Sequence, residues 1–180
     1  MGRTAMNRLS SRLPHGISLL ETMLAMAILL VALASVMSLF TLSVAQNANQ
    51  GEFATRATEY CQDKIEQLLS LAYADASTNT SVYPPAASGG TGLGGTAIAV
   101  GNSVGSIDTA APVNGYVDYL NAGGNLLPNS TGWFYKRQWR IDQVEVGLKR
   151  VNVVTIVRAQ AGPAKILPST TLVSLKANIP

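Results

Sequence analysis

The stretch His15-Gly16-Ile17-Ser18-Leu19-Leu20-Glu21 opens an apolar segment that continues to Ala45 and decides how the chain is organised. Thr22 to Ala45 comprises 24 residues without a charged side chain. A helix of that length measures about 36 Å, which exceeds the roughly 30 Å of a bilayer's hydrocarbon core. We therefore predict one membrane-spanning helix, which begins close to Glu21.

Glu21 lies at the start of the apolar segment, where a carboxylate needs a physical reason. Carrying an acid to mid-bilayer costs roughly 2.5–3.5 kcal/mol on insertion scales. An acid in this setting is therefore a functional hypothesis by default, and it calls for a cationic partner. The alternative is an ordinary single-pass anchor with an incidental Glu.

The residues before the apolar segment predict its orientation. Arg3, Arg8 and Arg12 precede the segment and no acid does, which favours a cytoplasmic N-terminus and a head on the far side of the membrane. A secretory signal would place its apolar run before the cleavage site, whereas Gly16 precedes the run here. Beyond Gly16 the chain has 13 − 3 = 10 basic residues against 10 acidic ones, so its overall basic charge is no argument for nucleic-acid binding.

The segment Arg12–Ala45 resembles the type IV prepilin signal of pilins and secretion pseudopilins. In that family a peptidase cleaves after a Gly on the cytoplasmic side, and Glu is the fifth residue after the cut. The resemblance implies a leader over residues 1–16, cleavage between Gly16 and Ile17, and N-methylation of Ile17. It also implies that Glu21 acts in assembly by pairing with the α-amine of a neighbouring Ile17. Ile17 departs from the commoner Phe or Met.

One long helix is predicted from Ile17 to about Asp75, because this stretch has no Pro and a single Gly. Residues 17–45 are apolar all round, as lipid or a filament core requires. Residues 46–75 are amphipathic, and we expect their apolar stripe to pack on a globular head, with Cys61 as a buried small side chain. The stripe comprises Ala54, Ala57, Cys61, Ile65, Leu68 and Ala72.

Residues 76–131 are rich in Gly, Ser, Thr, Asn and Pro and are predicted to be a loop region. Short strands are expected at Ala97–Val100 and Tyr116–Leu120. Gly90–Gly95 satisfies the G-x-G-x-x-G spacing, but no strand pattern precedes it and no helix pattern follows it. A flexible surface loop is therefore favoured over a dinucleotide site.

Residues 132–180 are predicted to form an antiparallel sheet with short connections. The first strand has Trp133, Tyr135, Trp139 and Ile141 at odd positions with polar residues between them, and we expect it to be half-buried and interrupted at Arg137. Val151–Val157 is typical of a central strand, and Thr171–Lys176 forms the last one. The predicted fold class is α+β and pilin-like: one long N-terminal helix packed at its second half on a small antiparallel sheet.

The favoured function is that of a minor pilin, a structural and assembly subunit of a type IV pilus. Major pilins commonly carry a helix-breaking Gly and Pro where Leu30 and Ser38 stand here. The strand order and the helix segment Asp63–Leu68 resemble minor pilins of the PilV class and the I-type minor pseudopilin. A minor pseudopilin of a type II secretion system is therefore the alternative. Expected partners are the prepilin peptidase, other pilin or pseudopilin subunits and, before assembly, the bacterial inner membrane.

A tip adhesin or DNA-binding pilin is a further alternative, because bases lie among aromatics between Trp133 and Arg140. From Trp133 onward eight bases and two acids give a net charge of +6, whereas residues 46–132 have two bases and seven acids, a net charge of −5. We interpret this difference as a dipolar head that docks on a neighbour's opposite charge. Nucleic acid is the less favoured partner.

An enzyme is not expected. His15 is the only His and leaves with the leader, and Cys61 is the only thiol, which excludes His-based triads and an ordinary zinc ligand set. The acids show no metal-loop spacing, and Asp63 and Glu66 beside Lys64 are interpreted as a solvated helix surface. We therefore expect no cofactor and no metal.

Overall fold

The computed structural model describes residues 18–96, 98–158 and 168–178, so the predicted cleavage position between Gly16 and Ile17 lies outside the described residues. The chain divides into two compact units, Met1–Gln46 and Asn47–Pro180. The fold class is α+β, as predicted, with one long N-terminal helix and a six-stranded antiparallel sheet in a pilin-like layout.

Helix α1 runs from Leu19 to Ser70, without a break at Gly51. It therefore ends before Asp75, the predicted end, and Ala72 is exposed instead of extending the apolar stripe. The carbonyls of the last turn already have partners: the Leu71 N–H donates to the Leu68 oxygen, and the Lys176 ammonium donates to the Leu69 oxygen. A cation at a helix C-terminus is favourable, so Lys176 stabilises the last turn of α1.

The first unit contains the apolar half of α1. The exposure of its 16 large apolar side chains between Leu19 and Val44 ranges from 51% to 77%. The helix is long and apolar enough to span a membrane. Exposed apolar surface on this scale marks a membrane or protein contact, so the segment is compatible with a membrane anchor.

The second unit contains the sheet. Its strands are β1 (Ser103–Gly105), β2 (Val117–Leu120), β3 (Leu126–Leu127), β4 (Tyr135–Glu145), β5 (Leu148–Val157) and β6 (Ser169–Ala177). The order is β3-β2-β4-β5-β6, and β1 also pairs with β4. The antiparallel meander predicted for residues 132–180 is confirmed, and it consists of β4, β5 and β6.

The predicted loop region 76–131 therefore contributes β1, β2 and β3 to the same sheet. The predicted strand Tyr116–Leu120 is confirmed as β2. The predicted strand Ala97–Val100 is wrong for residues 98–100, which form no strand, and Ala97 lies outside the described residues.

The apolar stripe of α1 packs on one face of the sheet, as predicted. The main core joins Cys61, Ile65 and Leu68 to residues of β4 and β5, namely Trp139, Ile141, Val151 and Val153. A second cluster joins Ala57 to Leu120, Tyr135 and Val157. Cys61 is fully buried, as expected for a small side chain on this stripe.

The glycine-rich segment Gly90–Gly95 is not a free surface loop, contrary to the expectation. The N–H groups of Leu93 and Gly95 both donate to the backbone carbonyl oxygen of Asp75, at 2.8 and 2.9 Å. Leu93 is fully buried in the main core. Gly90 lies so close to the Asn79 backbone that a Cβ there would have no room, which explains the glycine.

Strand β4 is buried on both faces, whereas a half-buried strand interrupted at Arg137 was expected. The Lys136 ammonium donates to the backbone carbonyl of Thr109 at 2.7 Å, and the Gln138 side-chain amide donates to the backbone carbonyl of Asp108 at 3.0 Å. The loop around Asp108 thus covers the second face. Arg137 continues the strand and is 2% exposed, because acidic partners surround its guanidinium.

Candidate functional sites: the acid of the apolar helix and a buried charge cluster

Glu21 lies in the first turn of α1 and is the only charged residue between Ser18 and Gly51. Ser18 precedes the helix, and its carbonyl accepts hydrogen bonds from the Glu21 and Thr22 N–H groups at 2.9 and 3.2 Å. A carboxylate in a first turn interacts favourably with the positive end of the helix dipole.

No salt bridge or side-chain hydrogen bond involves Glu21 within the described residues. Its neighbours Leu20 and Leu24 are apolar and largely exposed. Such an acid is suited to accept a cation supplied by another molecule. Its predicted partner, the α-amine of Ile17 in a neighbouring copy, lies outside the described residues.

A buried charge cluster joins α1 to the sheet in the second unit. Lys64 and Asp118 form an ion pair of 2.8 Å between side chains that are 0% and 1% exposed. Arg137 grips the same carboxylate with two hydrogen bonds of 2.8 and 2.9 Å. It also binds the Asp63 carboxylate at 2.8 Å. The cluster therefore ties α1, β2 and β4 together.

Lys64 has a full set of partners despite its burial. Its ammonium donates to the Thr80 carbonyl at 2.7 Å and to the Thr80 hydroxyl at 3.0 Å. It also lies 4.0 Å from the ring centroid of Trp139, within the range of a cation–π contact.

The electrostatics follow from burial and pairing. Burial lowers the pKa of Lys64 to about 8, although Asp118 opposes this shift. For Asp118, burial alone would raise the pKa, but Lys64 and Arg137 outweigh it and hold the pKa below its usual range. Lys64, Arg137 and Asp118 are thus charged at neutral pH. The second positive charge is balanced by Asp63 at the exposed end of the cluster.

Sequence reasoning missed this cluster and interpreted Lys64 and Asp63 as a solvated helix surface. The burial of Lys64 could have been predicted, since it lies three residues after Cys61 and four before Leu68, on the buried stripe. Nothing in the local pattern pointed to Asp118 as its partner.

The bases between Trp133 and Arg140 do not form an exposed basic surface. Arg137 belongs to the buried cluster, and Lys136 is 8% exposed and bonded to the loop at Thr109. Arg140 is 35% exposed and pairs with Asp142 at 2.8 Å. This stretch therefore offers no row of free cations to a phosphate backbone.

A groove of about 740 Å³ runs beside the cluster. One wall is formed by α1 with Glu59, Tyr60 and Asp63, and the other by apolar residues around β3 and by the loop at Tyr83. In the described ranges no group of three or more His, Cys, Asp or Glu side chains could hold a metal ion.

Comparison with known proteins gives no relative for this chain. No protein-family model, no curated protein and no solved structure matches it.

Proposed function

We propose that this chain is a minor pilin, a structural and assembly subunit of a type IV pilus. One observation carries the proposal. A single acid, Glu21, stands in the first turn of a helix with 16 exposed large apolar side chains, directly after the prepilin-like sequence Gly16-Ile17-Ser18. An apolar surface with one acid at its start fits a helix that leaves lipid to pack against other helices.

The proposed mechanism has two stages. The membrane first holds the subunit, because lipid covers the apolar half of α1. After cleavage between Gly16 and Ile17 and N-methylation of Ile17, the helix joins a bundle in which neighbouring apolar helices replace the lipid. Glu21 then pairs with the α-amine of a neighbouring Ile17. Removing one member of a buried pair costs about 3–5 kcal/mol, so this pair selects correctly docked subunits.

A minor pseudopilin of a type II secretion system is the second candidate. An α1 without a break between Leu19 and Ser70 fits this candidate as well as it fits a minor pilin. The two candidates share the prepilin peptidase, the inner membrane and other filament subunits as partners. Deleting the assembly ATPase of each system in turn separates them, because the subunit leaves the membrane only when its own motor is present.

The Glu21→Ala variant tests the proposal, and Glu52→Ala is its matched control because Glu52 lies on the same helix outside the apolar segment. Glu21→Ala should be processed and should accumulate in the membrane, since losing a charge makes insertion easier. Its amount in sheared filaments should fall at least tenfold, because the neighbour's amine loses its counter-charge. Immunoblots of the two fractions measure this. Equal incorporation of Glu21→Ala, Glu52→Ala and wild type would contradict the proposal.

A further inference from the structure

The sheet has two unlike edges. On one side it ends in β3 and β1, which are two and three residues long. On the other side it ends in β6, a regular strand of nine residues. Within the described part of the chain no strand pairs with the outer side of β6. Short edge strands guard against pairing with other chains, whereas a long regular one invites it.

The backbone groups that β6 offers can be identified from its register. Asn178 donates to the Gly147 oxygen at 2.8 Å, so this opposed pair is hydrogen-bonded. Hydrogen-bonded and non-hydrogen-bonded pairs alternate along an antiparallel ladder. The next hydrogen-bonded pair is therefore Lys149 with Lys176, and the backbone groups of Leu175, Val173 and Thr171 point away from β5.

The side chains along this edge are apolar and exposed. Val173 is 57% exposed and Leu175 is 60% exposed, on the sheet face opposite to α1. The only charge in β6 is Lys176, whose ammonium points to the other face and binds the Leu69 oxygen at the end of α1. No charged side chain of β6 therefore protects the edge.

Behind the edge lies an excess of positive charge. Arg150 is the cross-strand neighbour of Leu175, and Asp142 is the cross-strand neighbour of Arg150. Asp142 also pairs with Arg140, so two guanidinium groups share one carboxylate, each at 2.8 Å. The Arg140 and Arg150 side chains are 35% and 45% exposed and retain unused N–H donors.

We propose that the outer edge of β6 is a strand-addition site for a different subunit of the filament. The partner adds an extended segment whose apolar side chains lie beside Val173 and Leu175 and whose carboxylate reaches Arg150. This inference rests on the proposed function, because it takes the partner from the same filament. A second copy of this chain fits less well, since β6 contains no acid to offer to Arg150.

The substitution Val173→Lys tests the site, and Val146→Lys is its matched control. Both residues are exposed valines, but Val146 lies in the turn between β4 and β5, beyond the C-terminal end of β6 and far along the strand from Val173. A lysine at 173 places a charge on the edge and near Arg150, and it disturbs no core contact. Full-length Val173→Lys should reach the membrane at the wild-type level and fall at least tenfold in sheared filaments. Val146→Lys should behave as wild type.

The outcomes separate this inference from the proposed function. If wild type is absent from filaments, both proposals fail. If wild type and Val173→Lys are incorporated equally, the strand-addition site alone is wrong. A photo-crosslinker at position 173 should join the chain to another filament subunit, identified by mass spectrometry, and one at position 146 should not. A crosslink at 173 to a second copy of the chain would overturn the choice of partner.

Amide hydrogen exchange supplies a readout that follows the backbone itself. The amides of Thr171, Val173 and Leu175 should exchange at least tenfold more slowly in filaments than in the detergent-solubilised full chain. Slow exchange already in the solubilised chain would mean that its own residues cover the edge, and it would overturn the proposal. Fast exchange in both states would overturn it as well.

Discussion

The two units of this chain treat charge and apolar surface in opposite ways. In Met1–Gln46 the described large apolar side chains are exposed, and the acid Glu21 has no partner among the described residues. In Asn47–Pro180 apolar residues fill two clusters, and Lys64 and Asp118 are buried as an ion pair. Among the described residues the first unit therefore leaves its apolar surface uncovered, whereas the second buries its apolar side chains and pairs its buried charges.

Polar side chains in the apolar half of α1 follow the same logic. The hydroxyls of Ser35 and Ser38 donate to backbone carbonyls four residues earlier, at 2.8 and 2.9 Å, and Thr41 does the same at 3.1 Å. Their hydrogen bonds are thus satisfied without water, as a hydrocarbon environment requires. In the second unit, by contrast, the buried ammonium groups of Lys64 and Lys149 donate to carbonyls that lie 16 to 76 residues away in sequence.

The largest effect is expected from Asp118→Asn, which removes the shared counter-charge of Lys64 and Arg137. Because two buried cations are then left with Asp63 alone, the free energy of unfolding should fall by about 3–5 kcal/mol. Chemical unfolding of the full chain in detergent measures this, with tryptophan fluorescence as the probe, since Trp139 lies beside Lys64.

The exposed pair of Glu52 and Arg56 provides the control. These side chains are 59% and 43% exposed, so water and salt screen the pair and Glu52→Gln should leave the free energy of unfolding close to that of wild type. If Asp118→Asn is no more destabilising than Glu52→Gln, the buried cluster does not hold α1 on the sheet and the comparison between the units fails.

A smaller effect is expected from pH, through Lys64. Its pKa is about 8 in the folded chain against an ordinary value of 10.5, so between these pH values the unfolded state binds more protons. The free energy of unfolding should therefore rise with pH over this window, by up to about 3 kcal/mol from this group. Lys64→Met lacks the group, and its unfolding curve should lose this rise.

The comparison of wild type with Lys64→Met between pH 7.5 and 10.5 isolates Lys64 from other titrating groups, tyrosines included. Arg137 stays charged throughout, and Asp118 is already ionised at these pH values, so neither adds a slope of its own. Parallel pH profiles for the two proteins would show that Lys64 has an ordinary pKa and is not desolvated as the cluster requires.

The sequence predicted those parts of the fold that depend on periodicity. The three- and four-residue spacing of the apolar stripe identified the buried face of α1, alternation located β4 and β6, and the β-branched run Val151–Val157 located β5. The end of α1 was missed, and its last turn is bound by Lys176, a residue more than a hundred positions later. Local propensity contains no record of such a contact.

The candidate sites divide in the same way. Glu21 was identified because a charge inside an apolar run is conspicuous in a sequence. Arg137 was interpreted as an interruption of β4 because its partners, Asp118 and Asp63, lie 19 and 74 residues away. The edge of β6 could not be recognised either, since alternation does not show which strand of a sheet is outermost.

The proposed function requires that the chain is processed as a prepilin and then joins a filament. The most direct test is the intact mass and the N-terminal sequence of the mature protein, purified from cells that contain an active prepilin peptidase. We expect a chain that begins at Ile17, lacks residues 1–16 and carries one added methyl group. A full-length chain that begins at Met1 in those cells, or a chain cleaved beyond Glu21, would contradict it.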